Sequence, residues 1–319
     1  MFKKIFKMLG AQEEAPKPGI HLATFGKHPG WDDHMDELGL DTEGLVQLRR
    51  VLYTEGVNPN VDSGAWANLD PRHRLEYFDH FFVWRVSGEI IIGRLWSSSD
   101  GRGRHLYPMI VAAHCHGLTL EWCLHAVTPV VDEAKTLFTA TRSADDVRRG
   151  FDGLRSRLLD LGARAPAQWE PADLFERAVA RLAASPSFAT DRTGFDRIMY
   201  QAERDLAPFR TGAETRPQTM RVPACEHTAS DAAASWLGFL AGYIGPSTPC
   251  MVLVAPELAW VDLLVGPIGA SQMFVMRASQ ERIPLVSQIP YSLDEAFTAR
   301  AADLVARSIR GHSRVGTGA

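Results

Sequence analysis

The stretch from residue 81 to residue 96 most constrains the fold, because it predicts a tight antiparallel hairpin. Phe81–Val86 and Glu89–Trp96 are rich in β-branched and aromatic residues, and only Ser87 and Gly88 separate them. A two-residue connection joins antiparallel neighbours, whereas parallel strands need a long crossover. A chain that turns back so soon favours sheet meanders over a doubly wound parallel sheet.

The remaining elements are predicted from hydrophobic periodicity and turn residues. Further strands are predicted at His21–Phe25, Leu106–His114, Thr219–Val222, Met251–Val254, Trp260–Val265 and Met273–Met276. Helices are predicted over Asp41–Tyr53, Leu118–Thr141, Ala144–Leu161, Pro171–Ala184, Gly194–Leu206, Ala229–Tyr243 and Leu293–Ile309. This order predicts an α+β fold, a mixed α/β chain whose antiparallel sheet meanders are covered by packed helices in two halves.

A length of 319 residues suits two ordinary domains better than one. Gly162–Pro171 is rich in Ala, Pro and Gly, and Pro208–Pro217 is polar and turn-rich, so both segments predict connections. The predicted organisation is a basic tail and linker (1–19), an N-terminal α/β domain (20–162), a helical connector (163–217) and a C-terminal α/β domain (218–319).

Composition excludes several classes of function. The chain carries 34 basic and 38 acidic residues, so no overall positive field attracts nucleic acid. Its 4 cysteines form no CxxC pair, which favours a reducing compartment. The longest apolar runs, near 235–244 and 251–260, fall short of the roughly 20 residues that a membrane span needs. We therefore expect a cytoplasmic protein without a nucleic-acid partner.

The first ten residues leave two interpretations open. An apolar stripe at helical spacing is flanked by lysines: the stripe is Phe2, Ile5, Phe6 and Leu9, and the lysines are Lys3, Lys4 and Lys7. Such a segment predicts either a frayed tail or a short basic helix that touches the inner face of the anionic inner membrane.

A dense group of polar residues follows the first predicted strand, between Lys27 and His34. Asp32, Asp33 and His34, together with His80, form the ligand set of one interpretation, a metal-dependent hydrolase. The simpler interpretation is a structured turn in which Asp side chains accept bonds from nearby backbone amides. We favour the turn, and we expect no catalytic residue, no cofactor and no tightly bound metal.

His114 and His116 are a further pair of candidate metal ligands. Within a strand they lie on one face, while Cys115 between them points to the other. A third ligand would have to come from elsewhere, and we favour a structural role.

A second charged loop, Asp100–Arg104, lies between two predicted strands. Arg102 and Arg104 supply guanidinium forks suited to carboxylates or phosphates, yet the loop lacks the spacing of a phosphate-binding loop. We therefore expect it to pair with the Lys27 turn or to contact a protein partner, and we predict that Asp33 and Arg104 lie within about 10 Å of each other.

Taken together, the two segments resemble motifs of the TagF/ImpM family of type VI secretion accessory proteins. The first motif is matched by Gly26, Lys27, Pro29 and Asp33. The second is matched by Trp84, Leu95, Ser98, Asp100, Gly103, Arg104 and Pro108. The departures are His28, Asp32 and His34 in the first motif, and one extra residue before Pro108 in the second.

The resemblance covers residues 20–115 and implies a longin-like α/β core without catalysis. It also implies control of a contractile secretion machine through binding of a forkhead-associated regulatory protein at the inner membrane. The expected partner-binding and motif residues are Gly26, Lys27, Pro29, Trp31, Asp33, Asp100, Arg102, Arg104 and Pro108. A structural scaffold of another contractile or membrane-linked assembly is the other non-enzymatic interpretation.

Overall fold

The protein has an α+β fold built on one seven-stranded antiparallel sheet, as seen in a computed structural model that describes residues 18–166, 170–211 and 216–315, with side chains through 311. The strands are β1 (Gly19–Gly26), β2 (Asp79–Val86), β3 (Glu89–Ser97), β4 (Pro108–His116), β5 (Gln218–Val222), β6 (Cys250–Val254) and β7 (Val261–Val265). Their order across the sheet is β1-β4-β3-β2-β6-β7-β5, and every neighbouring pair is antiparallel.

Helices pack on both faces of this sheet. The α-helices are α1 (Glu43–Arg49), α2 (Asn58–Asp62), α3 (Leu120–Ala140), α4 (Ala144–Arg164), α5 (Leu174–Ala184), α6 (Pro186–Ala189), α7 (Arg192–Arg210), α8 (Ala229–Ala241), α9 (Ala270–Met273) and α10 (Glu295–Val315). A π-helical stretch, Arg50–Val57, joins α1 to α2, and short 3-10 turns lie at Pro71–His73, Pro256–Leu258, Phe274–Arg277 and Val286–Gln288.

The strands explain why both faces are covered. β4 is buried along nearly its whole length, so each of its faces needs an apolar layer. One core, on the face that carries Val111, is closed by α3, α4, α5, α7, α8 and α10. The opposite core, around Phe82 and Ile110, is closed by α1, the π-helical stretch and α9. The result is three layers, with the sheet between helices.

The predicted hairpin of β2 and β3 is confirmed. Val86 pairs with Glu89, and the connecting residues Ser87 and Gly88 have φ values of 53° and 81°. Two successive positive φ values characterise the type I′ turn, whose twist matches that of the flanking strands. The strand predicted at Leu106–His114 begins two residues later, at Pro108, which leaves Leu106 in the preceding loop.

The strand predicted at Met273–Met276 is wrong, because this segment is helical. Met273 ends α9 and the 3-10 turn Phe274–Arg277 follows at once. A four-residue apolar run is compatible with either structure, and here its buried side chains complete the second core rather than pairing with a strand.

The predicted hinge at Pro208–Pro217 is wrong in its first residues. Helix α7 continues through Pro208 to Arg210, and 212–215 lie outside the described residues. The last turn is held because the Phe209 side chain is buried and its carbonyl accepts bonds from Gly245 N and Thr248 Oγ1.

The two predicted halves share one sheet. β2 from the first half pairs with β6 from the second over five residue pairs, from Phe81 with Val254 to Arg85 with Cys250. The domain boundaries and the longin-like relationship stay predictions. In the described residues, no helix combines the length and apolar character of a membrane span. Residues 1–10, for which a frayed tail and a short basic helix are both open, lie outside them.

Candidate functional site

Two loops meet at the end of the sheet where β1 and β3 finish and β4 begins. Gly26 pairs with Met109, and Ser97 pairs with Pro108, so residues 27–34, which follow β1, lie beside residues 98–107, which connect β3 to the neighbouring strand β4. Gly26 has a φ of 117°, and a Cβ there would lie 2.2 Å from the Pro108 carbonyl oxygen. Only glycine fits this crossing, so the Gly26 of the first motif sets the approach of the two loops.

Lys27 is a buried cation held by one carboxylate from each loop. Its side chain is 3% exposed, and Nζ lies 2.5 Å from Asp33 Oδ1 and 2.8 Å from Asp100 Oδ2. A buried ammonium is tolerated only when it is paired and hydrogen-bonded, and here both partners are charged.

Asp100 organises the second loop. Its fully buried carboxylate accepts bonds at 3.0 Å from the backbone amides of Arg102 and Arg104, and at 2.7 Å from Arg104 Nε. Burial by itself would raise the pKa of Asp100, but the bonds from Lys27, Arg104 and the amides outweigh it and hold the pKa well below its usual range.

Arg104 closes the network. Its Nη2 lies 3.1 Å from Asp33 Oδ1 and donates to the Asp32 carbonyl oxygen at 2.8 Å. The prediction that Asp33 and Arg104 lie close together is therefore confirmed. The bond from Lys27 is the main cause that lowers the pKa of Asp33. We call Lys27, Asp33, Asp100 and Arg104 the Lys27 network.

The first loop is also fixed to the helical layer, which sequence reasoning did not predict. The buried His28 ring places Nε2 3.0 Å from the Phe138 carbonyl oxygen, and its Nδ1 accepts a bond from Gly30 N. Trp31 packs edge-on against His28, with the Arg148 guanidinium over its ring. Trp31 is therefore half-buried and anchors the loop at the junction of α3 and α4. The only sequence signal for this was the histidine that replaces an aliphatic residue in the first motif.

A cavity of about 520 Å³ opens beside the network. Its lining includes the charged side chains of Lys27, Asp33 and Arg104, the rings of His34 and Tyr107, and the apolar side chain of Leu106. The His34 ring stands edge-on to Tyr107, and Leu106 is 59% exposed. The cavity therefore combines fixed charges with an accessible apolar rim, as recognition surfaces do.

The ligand set of the hydrolase interpretation is not assembled among the described residues. Asp32 is 80% exposed and contacts Arg102. His80 is buried in β2, and β2 lies three strands from β1, a separation of about 14 Å between these two strands. Burial lowers the pKa of His80 to about 3, and neither ring nitrogen has a partner in the described chain. Within the described ranges, no three His, Cys, Asp or Glu side chains are arranged to hold a metal ion.

The remaining predicted residues lie in the two loops and in β4. Arg102 is 65% exposed and faces Asp32, with Nη2 3.7 Å from Oδ2. Pro29 lies in the first loop, where its carbonyl oxygen faces Gly101, and Pro108 begins β4. His114 and His116 do share one face of β4, with ring centroids 6.0 Å apart.

A scan of the chain against protein-family models matched none of them, and a search of the curated proteins also found no match. The interpretation of the site therefore depends on its geometry and on the two motifs.

Proposed function

We propose that the protein is a non-catalytic accessory or regulatory component of a type VI-like secretion machine and acts by binding another protein. One observation carries the proposal: the residues of the two TagF/ImpM-like motifs form one ion-pair network. Lys27 and Asp33 come from the first motif, and Asp100 and Arg104 come from the second, with Asp100 lying 73 residues from Lys27. The motifs thus describe one shared feature, a pair of loops joined by charge.

The chemistry of the network favours binding over catalysis. The charged groups of Lys27, Asp100 and Arg104 are engaged with one another, and their pairing stabilises the loops in one conformation. Rigid loops on a sheet are common carriers of recognition. The side chains most accessible to a partner lie on the two loops, where Asp32, Arg102 and Leu106 are more than half exposed.

The resemblance supplies the kind of partner. A forkhead-associated regulatory protein at the cytoplasmic face of the inner membrane is the partner we propose, with residues 1–10 adding a weak membrane contact. The exposed Arg102 and Leu106 suit an interface whose partner presents acidic and apolar groups.

Binding of a purified forkhead-associated regulatory protein from the same organism tests the proposal. We expect Arg102→Ala to raise the Kd about tenfold, a typical loss for an arginine at an interface. Arg307→Ala is the matched control, because Arg307 is 62% exposed on α10 and pairs with Asp303. If the wild-type protein does not bind, or if both variants bind like it, this partner surface is wrong.

A further inference from the structure

Three imidazole rings share one sheet face at the opposite end of β1 from Lys27. His21 on β1 is paired in register with His114 on β4, and His116 lies two residues farther along β4. The His21 and His116 rings stack with centroids 5.6 Å apart and planes inclined by 21°, and His114 lies 6.0 Å from His116. Stacking of this kind is favourable between neutral rings and unfavourable once neighbouring rings carry like charge.

His114 also holds the start of helix α1. Its Nδ1 lies 2.9 Å from Thr42 Oγ1, and Thr42 is the N-cap whose hydroxyl accepts the Leu45 amide. The His114 Nε2 lies 2.8 Å from Glu89 Oε2. In the neutral ring, Nε2 donates to Glu89 and Nδ1 accepts from the Thr42 hydroxyl, and in the charged ring both nitrogens donate to the same two partners. Protonation therefore reverses the bond to Thr42 and places a charge on a ring that is almost fully buried beneath α1.

Helix α1 packs directly on this ring. A Cβ on Gly44 would lie 2.8 Å from the His114 ring, so the helix backbone and the imidazole are in close contact. α1 is only seven residues long and follows the loop that begins at Lys27. A short element held by few contacts is the first to open locally.

The charges around the cluster favour different protonation states. Asp41, beside His21, and Glu89, beside His114, favour the charged ring, whereas Arg155 from α4 and the neighbouring imidazoles oppose it. Burial is the largest effect for both residues, and it lowers the pKa of His21 and of His114. The packed state therefore favours the neutral form of His21 and of His114.

We propose that His21 and His114, clustered with His116, form a pH-sensitive latch, and that protonation of His21 and His114 releases α1 and the end of the preceding loop from the sheet. The opened state binds more protons than the packed state, because solvent restores the ordinary basicity of these two rings. The contribution of the latch is present above about pH 6.5, the usual pKa of histidine, and is lost as the pH falls below it.

Amide hydrogen exchange of the full chain tests the latch, with rates corrected for the intrinsic effect of pH. Between pH 7.5 and pH 5.5 we expect the protection factor of residues 43–49 to fall by up to about tenfold for each of the two histidines, because the opened state gains protons only below about pH 6.5. β2 and β6, in the centre of the sheet, should keep their protection and serve as the internal reference. The double variant His21→Gln, His116→Gln should weaken the α1 response, because it removes one titrating ring and the neighbouring imidazoles that oppose protonation of His114.

The exposed His125 on α3 provides the control variant, His125→Gln, which should respond like the wild type. The latch is wrong if α1 keeps its protection at pH 5.5, if β2 and β6 lose protection together with α1, or if the double variant responds like the wild type. Should the double variant not fold, proton NMR titration of the wild-type histidines decides: titration of His21 and His114 at or above the ordinary histidine pKa would overturn the proposal.

Discussion

Two buried clusters, each of which pairs positive with negative side chains, differ in their surroundings. The Lys27 network joins two loops at a sheet end and opens on a cavity, so that Asp33 and Arg104 are half exposed or more. Arg221 on β5 and Asp262 on β7 instead face each other inside the protein, with side chains 0% and 1% exposed. Both groups satisfy the requirement that buried charge be paired, but only the first can meet a partner.

The Arg221–Asp262 pair is a sealed internal connection. Arg221 Nε and Nη2 contact the two Asp262 oxygens at 2.7 and 2.9 Å, and Trp260 Nε1 donates to the same carboxylate. Arg221 Nη1 donates to the Ala278 and Ser279 carbonyl oxygens at 2.9 Å. The pair therefore attaches the segment after α9 to the edge of the sheet. A buried charge network is thus not by itself evidence of a site, and access to solvent distinguishes the two.

The largest expected effect comes from breaking the sealed pair. Asp262→Ala should lower the free energy of unfolding by about 3–5 kcal/mol, because it leaves the Arg221 guanidinium buried without its counter-charge. Urea unfolding followed by tryptophan fluorescence measures the loss. Asp303→Ala, which removes an exposed pair with Arg307, is the control and should cost less than about 1 kcal/mol. Equal midpoints for the two variants would contradict the contrast.

Breaking the Lys27 network should lower the free energy of unfolding less than breaking the Arg221–Asp262 pair does. We expect Lys27→Met to lower the free energy of unfolding by about 3 kcal/mol, at the low end for a buried pair, because Arg104 and two amides still serve Asp100. Unlike Asp262→Ala, it should also weaken binding of the forkhead-associated partner under conditions where both variants are folded. If Lys27→Met is destabilised but binds normally, the Lys27 network only stabilises the fold, as the Arg221–Asp262 pair does.

The stabilising contribution of the Lys27 network is expected to depend on pH, which distinguishes this network further from the Arg221–Asp262 pair. The pKa values of Asp33 and Asp100 are lowered in the folded protein, so the unfolded chain binds more protons in acid. Their stabilising contribution is present above about pH 4 and is lost as the pH falls towards their folded pKa values. Denaturation curves between about pH 5 and pH 2 should show a shallower loss of stability for Asp100→Asn than for the wild type. Parallel curves would refute the assignment.

The smallest expected effect on stability is that of replacing the exposed Arg102. Arg102→Ala should change the free energy of unfolding by less than about 0.5 kcal/mol, since the side chain is 65% exposed and its contact with Asp32 spans 3.7 Å. Thermal unfolding checks this. A large drop in Tm would place Arg102 within the brace and remove it from the proposed binding surface.

Local structure was predictable wherever one segment carries its own periodicity or turn chemistry. The β2–β3 hairpin follows from two β-rich runs around Ser87 and Gly88, and the helices of the α+β fold follow from apolar spacing. The charged turns that form the Lys27 network were also visible, because Lys27, Asp33 and Arg104 stand in short motifs next to strands. Their mutual contact was predicted, although the depth at which Asp100 is buried was not.

Contacts between distant segments were decided by the tertiary structure. The single sheet depends on β2 pairing with β6, Arg221 meets Asp262 across 41 positions, and His28 bonds to Phe138 across 110. Met273–Met276 became helical because its apolar side chains fill a core beside the sheet. Periodicity within a segment determines which face is apolar, but not which distant surface will cover it. That choice depends on sheet register and on the space left in each core, which exist only once the chain has folded.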